Sequence, residues 1–138
     1  MLLALACQAD QKPQAIEAHD ACASCRMAIS QPQYAAQVLD KDGNAYKFDD
    51  IGCMLRYLRE HTLRQRRLYV MDYMNRRWLE AEKAVFVRSD AIKSPMAGGL
   101  AAFRDQSGAQ QFLTISSGQM ISFRQLTGHE PPAEHRAD

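Results

Sequence analysis

Apolar residues along this chain fall in short runs whose period switches between two and about 3.6, a pattern that predicts small units of mixed strand and helix. Residues 34–39, "YAAQVL", have the apolar density of a strand. The turn residues of "DKDGN", 40–44, lead into "AYKF", 45–48, and predict an antiparallel hairpin. "DDIGCMLRYLREH", 49–61, opens with two candidate Asp caps and repeats apolar residues at Ile51, Met54, Leu55 and Leu58. It ends with Arg59 and His61 near the negative pole, which makes it the clearest helix of the chain. "RLYVMDY", 67–73, reads as another strand, so the order is strand, strand, helix, strand.

The second half follows the same order. "AVFVRS" (84–89) predicts a strand, the Pro/Gly loop "KSPMAGG" (93–99) follows, and "LAAF" (100–103) predicts a second strand. A helix over 105–115 and a strand "QMISF" (119–123) complete it. "FDDIGCMLRYL" (48–58) aligns at one constant offset with "FRDQSGAQQFL" (103–113): Phe48 with Phe103, Asp50 with Asp105, Tyr57 with Phe112 and Leu58 with Leu113. These matches fall at the strand end, the cap and the buried helix face, which predicts an internal repeat. The expected fold class is α+β, two small ββαβ units packed together because neither alone encloses much core. The expected divisions are a leader over 1–18, a first unit over 19–78, a second over 79–126 and a flexible polar tail over 127–138.

Composition narrows the function classes. The 138 residues are 46% hydrophobic, enough for a globular core. With 17 basic and 16 acidic residues the net charge is +1, so no strong field points to nucleic acid. Arg64, Arg66 and Arg67, and Arg76 with Arg77, read as solvated surface. Beyond the first residues no run approaches the roughly 18 apolar residues of a membrane helix. No Ser/His/Asp set, paired carboxylate motif or Gly-rich phosphate loop stands at usable spacing, so no enzymatic activity is expected.

The four cysteines, Cys7, Cys22, Cys25 and Cys53, are too scattered for a disulfide scaffold. Cys7 follows "MLLALA" and looks like the end of a bacterial lipoprotein signal, in which that cysteine becomes the lipidated first residue. The run is short, lacks a basic start and has Ala4 where leucine is usual. A lipid on Cys7 would tether the chain to a membrane of the cell envelope, with residues 8–18 as a polar leader.

The densest chemistry lies in "HDACASCRMAIS", 19–30, where Cys22, Cys25 and Met27 stand as C-x-x-C-x-M. A metal site, a redox disulfide and a structural staple compete. Structural zinc needs four ligands, usually two pairs, and Cys53 has no partner at zinc-finger spacing. A c-type haem attachment needs His where Arg26 stands. A thioredoxin-like pair should open a helix that lowers the thiol pKa, yet "RMAISQPQ" runs into Pro32. A Cys22–Cys25 disulfide would close a very small loop and stabilise little. Met27 shifts the balance, because a thioether beside thiolates favours Cu(I), a soft ion that accepts two or three sulfur ligands. Met96, in "KSPMAGG", either closes over the metal or packs between the units. His19 and His129 offer imidazoles but read first as surface residues, and Met54, Met71, Met74 and Met120 read as core filler or surface. A thiol-disulfide redox protein using Cys22 and Cys25 stays open as the alternative, as does an interaction module that only scaffolds an assembly complex.

The chain resembles the NosL family, accessory proteins of nitrous oxide reductase in denitrifying bacteria. The resemblance runs from Cys7 to about residue 125 and rests on that cysteine, on "CASCRM", on "FDDIGCMLRYL" and, most specifically, on "VFVRSDAIKSPMAGGLAAF" (85–103). It implies a membrane-anchored periplasmic copper chaperone of two ββαβ units that delivers Cu(I) for the copper-sulfide centre of nitrous oxide reductase. An ABC-type transporter complex is the implied docking partner. The resemblance places the primary ligands at Cys25 and Met27, with Cys22 beside them and Met96 from the second unit as a candidate.

Overall fold

In the computed structural model, which describes residues 12–63 and 65–128, a tight turn sets the first hairpin. Asp40 Oδ1 accepts the N–H groups of Asp42 and Asn44 at 2.9 Å each, and Gly43 takes a positive φ of 85° that few other residues tolerate. β1 (Ala36–Leu39) and β2 (Ala45–Phe48) therefore pair antiparallel, Ala36 opposite Phe48 and Leu39 opposite Ala45. The expected strand at 34–39 starts later, because Pro32 opens a 3-10 turn over Pro32–Tyr34.

β3 (Arg67–Met71) pairs on the other side of β1, and β4 (Trp78–Glu80) adds to β3, giving the order β2-β1-β3-β4. β4 was not anticipated, and it runs across the expected division between residues 78 and 79. Three residues are too few to show alternation, and the polar "NRR" before them reads as a loop. Central β1 is buried throughout, including its polar Gln37. That amide is satisfied like a strand residue: Gln37 Nε2 donates to the Gln14 carbonyl at 2.8 Å, and Oε1 accepts the Gln14 N–H at 2.9 Å. The segment before the cysteines is thereby fastened to the sheet.

α1 (Ile51–Glu60) starts where Asp50 Oδ1 accepts the Gly52 N–H at 2.7 Å. Its buried side, Ile51, Cys53, Met54 and Leu55, joins one core cluster with Val38, Phe48 and Val70. In the second half β5 (Val85–Arg88) lies between β6 (Leu100–Phe103) and β7 (Gln119–Ser122), and α2 (Gln106–Ile115) is capped by Asp105. The first half thus runs ββαββ, one strand beyond the expected ββαβ, and the second runs ββαβ before a short closing helix, in an α+β fold. Phe48 and Phe103 end strands, and each ring meets an aromatic ring of the helix that follows, Tyr57 at 5.2 Å and Phe112 at 5.8 Å.

The two sheets share a core. Phe86, Leu100, Ala102 and Ile121 of the second half belong to the same cluster as Val38 and Met54 of the first. The Tyr73 N–H donates to the Ala102 carbonyl at 2.8 Å, and the Tyr73 ring packs against Phe103 at 5.8 Å. The expected strand at 119–123 ends at Ser122, which caps α3 (Phe123–Thr127). Ser122 and Gln125 form a reciprocal capping box that the spacing S-x-x-Q signals. Among the described residues no helix is long and apolar enough to cross a membrane.

Candidate metal centre

The cysteine loop is closed by its own backbone before any side chain is considered. The Cys22 N–H donates to the Met27 carbonyl at 2.8 Å, the Arg26 N–H donates to the Cys22 carbonyl at 2.9 Å, and Ala21 bridges Ala28. Arg26 adopts a positive φ of 70°, the left-handed turn that reverses the chain. Two ties hold the loop on β2: the Ala23 N–H donates to the Lys47 carbonyl at 2.8 Å, and Lys47 Nζ pairs with Asp20 Oδ2 at 2.6 Å. The Lys47 ammonium holds the Asp20 carboxyl below its usual range, helped by the Glu17 backbone.

Once seated, the loop brings its sulfurs against the start of α1. Cys22, Cys25, Cys53 and Asp49 each offer one donor atom, and these four atoms all lie within 4.8 Å of one another. All three cysteines are free thiols; Cys22, Cys53 and Asp49 are buried, and Cys25 is half-buried. The Cys25 thiol faces the Asp49 carboxylate, 3.6 Å from Oδ1 and 3.5 Å from Oδ2. Backbone donors point at the sulfurs: the Cys25 N–H reaches Cys22 Sγ at 3.5 Å, and the Met27 N–H bonds Cys25. Arg56 Nη2 approaches Cys53 Sγ at 3.8 Å.

These surroundings keep two of the thiols, Cys25 and Cys53, protonated. Burial is the main cause that raises the Cys25 pKa, with Cys22 and Asp49 adding to it against the Met27 N–H. Burial also pushes the Cys53 thiol far up, reinforced by Cys22 and Asp49. A thiol-disulfide exchanger needs a depressed thiol pKa, commonly at a helix N-terminus, whereas Cys25 stands in a loop and is shifted the other way.

The NosL family profile matches residues 13–130. This chain belongs to the NosL family. The crystal structure of the copper chaperone NosL from Shewanella denitrificans superposes on it with a TM-score of 0.75 and 20% identity, covering 87% of this chain and 98% of that one. The two share a fold. No curated protein matches the chain.

The structure sorts the expected ligands of the chain into two groups. Cys22 and Cys25 lie in the cluster, while Met27 and Met96 are exposed side chains at 61% and 43%. The Met96 loop is tied to the start of α1, the Met96 N–H donating to Asp50 Oδ2 at 3.1 Å. Gly98 lets the loop come this near, since a Cβ there would meet Asp50 Oδ1 at 3.0 Å. His19 is exposed and is not one of the four clustered groups; Cys7 and His129 lie outside the described residues. Met54 and Met71 are core, and Met74 is surface.

Cys53 and Asp49 were not expected at the centre. Their segment, "FDDIGC", reads as strand end and helix cap, and the pair of aspartates divides its work. Asp50 caps α1 and holds the Met96 loop, while Asp49 faces Cys25. Asp50→Ala is expected to destabilise the fold by about 1–2 kcal/mol through the lost cap. The same change should raise the hydrogen-exchange rate of the Met96 amide, which urea denaturation combined with exchange measurements will show; Asp50→Asn, which keeps an acceptor oxygen, should restore much of both.

Proposed function

We propose that this chain is a Cu(I) metallochaperone, a carrier and not an enzyme, which delivers copper for assembly of the copper-sulfide centre of nitrous oxide reductase. The observation that carries the reading is the donor set: three free thiols drawn together beside a loop whose next donor is an exposed thioether. That chemistry suits a soft monovalent ion in low coordination, and the family and the copper-chaperone fold neighbour support it. Cys25 and Met27 are the proposed primary ligands, with a third donor from Cys22, Met96 or a histidine, His19 or His129. A half-buried thiol next to an exposed thioether lets an incoming ligand join before the last one leaves, so that copper passes on without free release.

The proposed setting follows the lipoprotein-like start. A lipid on Cys7 anchors the chain to a bacterial envelope membrane with the copper centre in the periplasm, where apo nitrous oxide reductase and an associated ABC-type transporter complex receive it. Anaerobic incubation of Cu(I)-loaded protein with the apo enzyme tests delivery: the copper-sulfide chromophore should develop, and failure to develop it, with copper still bound to the carrier, would overturn delivery to this target.

Copper affinity should rise with pH. In the metal-free centre the Cys25 thiol is protonated, since its pKa lies above the ordinary 9.0, so it must lose a proton to bind Cu(I) as thiolate. Protons compete less as pH rises, and the gain is about tenfold per pH unit for each thiolate bound. Competition against a chromophoric Cu(I) chelator at pH 6 and pH 8, corrected for the chelator's own protonation, should show this climb. A flat profile would mean that no thiol is a ligand.

A further inference from the structure

The donors grouped around Cys25 differ sharply in depth. Cys22 and Cys53 are 0% and 1% exposed, beneath the surface, whereas Met27 is 61% exposed. Half-buried Cys25 stands between the two levels. We propose that the centre has two copper positions sharing Cys25: an inner one built by Cys22, Cys25 and Cys53, where Cu(I) rests, and an outer one built by Cys25 and Met27, from which it leaves. The proposal rests on the copper-carrier reading; it keeps Cys25 and Met27 as the pair that hands copper on and places Cys53, from a separate segment of the chain, in the resting set instead of Met27.

Three features fit the inner group to a bound soft ion. The three sulfurs and the Asp49 oxygen lie mutually within 4.8 Å, so one ion placed among them stands close to all three sulfurs. Each sulfur already has an N–H donor aimed at it: the Cys25 N–H on Cys22, the Met27 N–H on Cys25 and the Arg56 guanidinium on Cys53. Asp49 accepts from the Cys25 thiol at 3.5 Å and so holds that sulfur facing the group. Anionic thiolates hold Cu(I) more firmly than one thiolate with a neutral thioether, which is why the ion rests inside.

Burial that protects the ion also keeps an acceptor away from it. Transfer therefore requires a step outward in which the Cu–S bonds to Cys22 and Cys53 break, the bond to Cys25 is kept and a bond to the Met27 thioether forms. Copper stays Cu(I) throughout, and each released thiolate takes up one proton from solvent. Met27 is then a ligand of departure more than of storage.

Selenomethionine in place of methionine tests this without disturbing any cysteine. The full chain so labelled is loaded anaerobically with one equivalent of Cu(I) and studied by copper-edge X-ray absorption. The expected result is a sulfur shell with no Cu–Se scattering. In Cys53→Ser, shown to be folded by circular dichroism, the ion should move outward, so that Cu–Se scattering appears and affinity falls at least about tenfold. Cu–Se scattering in the labelled chain without the Cys53 substitution would overturn the inner resting position while leaving the carrier reading intact. So would unchanged affinity in Cys53→Ser, or displacement of Cu(I) by an equal concentration of Zn(II). Failure of the labelled chain to retain Cu(I) at all would overturn the carrier reading, and this proposal with it.

Discussion

Replacement of Cys25 by serine is expected to lower Cu(I) affinity by more than about a hundredfold, beyond the 10- to 100-fold typical for loss of a group that merely supports a ligand. Cys25 is the sulfur that reaches both the buried thiols and the surface, and its thiol faces Asp49 at 3.5 Å. Serine keeps the size and the hydrogen bond to the carboxylate but offers a hard oxygen that Cu(I) binds poorly. The loop should stay closed, because it is held by the backbone bonds from Cys22 to Met27 and from Ala23 to Lys47, none of which uses the Cys25 side chain. Competition against a chromophoric Cu(I) chelator under anaerobic conditions measures the effect. Affinity within a few-fold of the unchanged protein would mean that the copper ligands lie elsewhere.

Phe48→Ala should produce the largest loss of stability, about 3–5 kcal/mol, the range for deleting a buried phenyl ring. Phe48 is fully buried, packs edge-on against Tyr57 at 5.2 Å and belongs to the cluster that joins α1 to the sheet. With total stabilities of about 5–15 kcal/mol typical of single domains, such a loss leaves little margin. Because Asp49 and Asp50 follow Phe48 directly, the α1 end of the metal centre loosens with it. Urea denaturation gives the stability, and saturating Cu(I) should recover part of it by binding the folded state alone. A loss below about 1 kcal/mol would show that the neighbours close the cavity, and that this ring does not set the position of the two aspartates.

Much of the fold was legible. The hairpin is written in "DKDGN" and the helix caps in Asp50 and Asp105, since these rest on local backbone chemistry. Where expectation and structure differ, the elements are short. β4 has only three residues, Pro32 turns the chain ahead of β1, and α3 rests on a capping box after an apolar run that resembled a longer strand.

The site divides in the same way. By itself the sequence determined which soft donors the chain carries and that Cys22, Cys25 and Met27 share one loop, because that proximity is covalent. Only the tertiary structure decided that Cys53 and Asp49 complete the cluster, that Asp50 ties in the Met96 loop, and that Cys22 and Cys53 lie deep while Met27 and Met96 face outward. The physical reason is that these contacts join segments far apart in the chain. They exist because the Ala23–Lys47 bond seats the cysteine loop on β2 and because the apolar side of α1 packs on the sheet, turning Cys53 inward. Spacing along a chain records neither event.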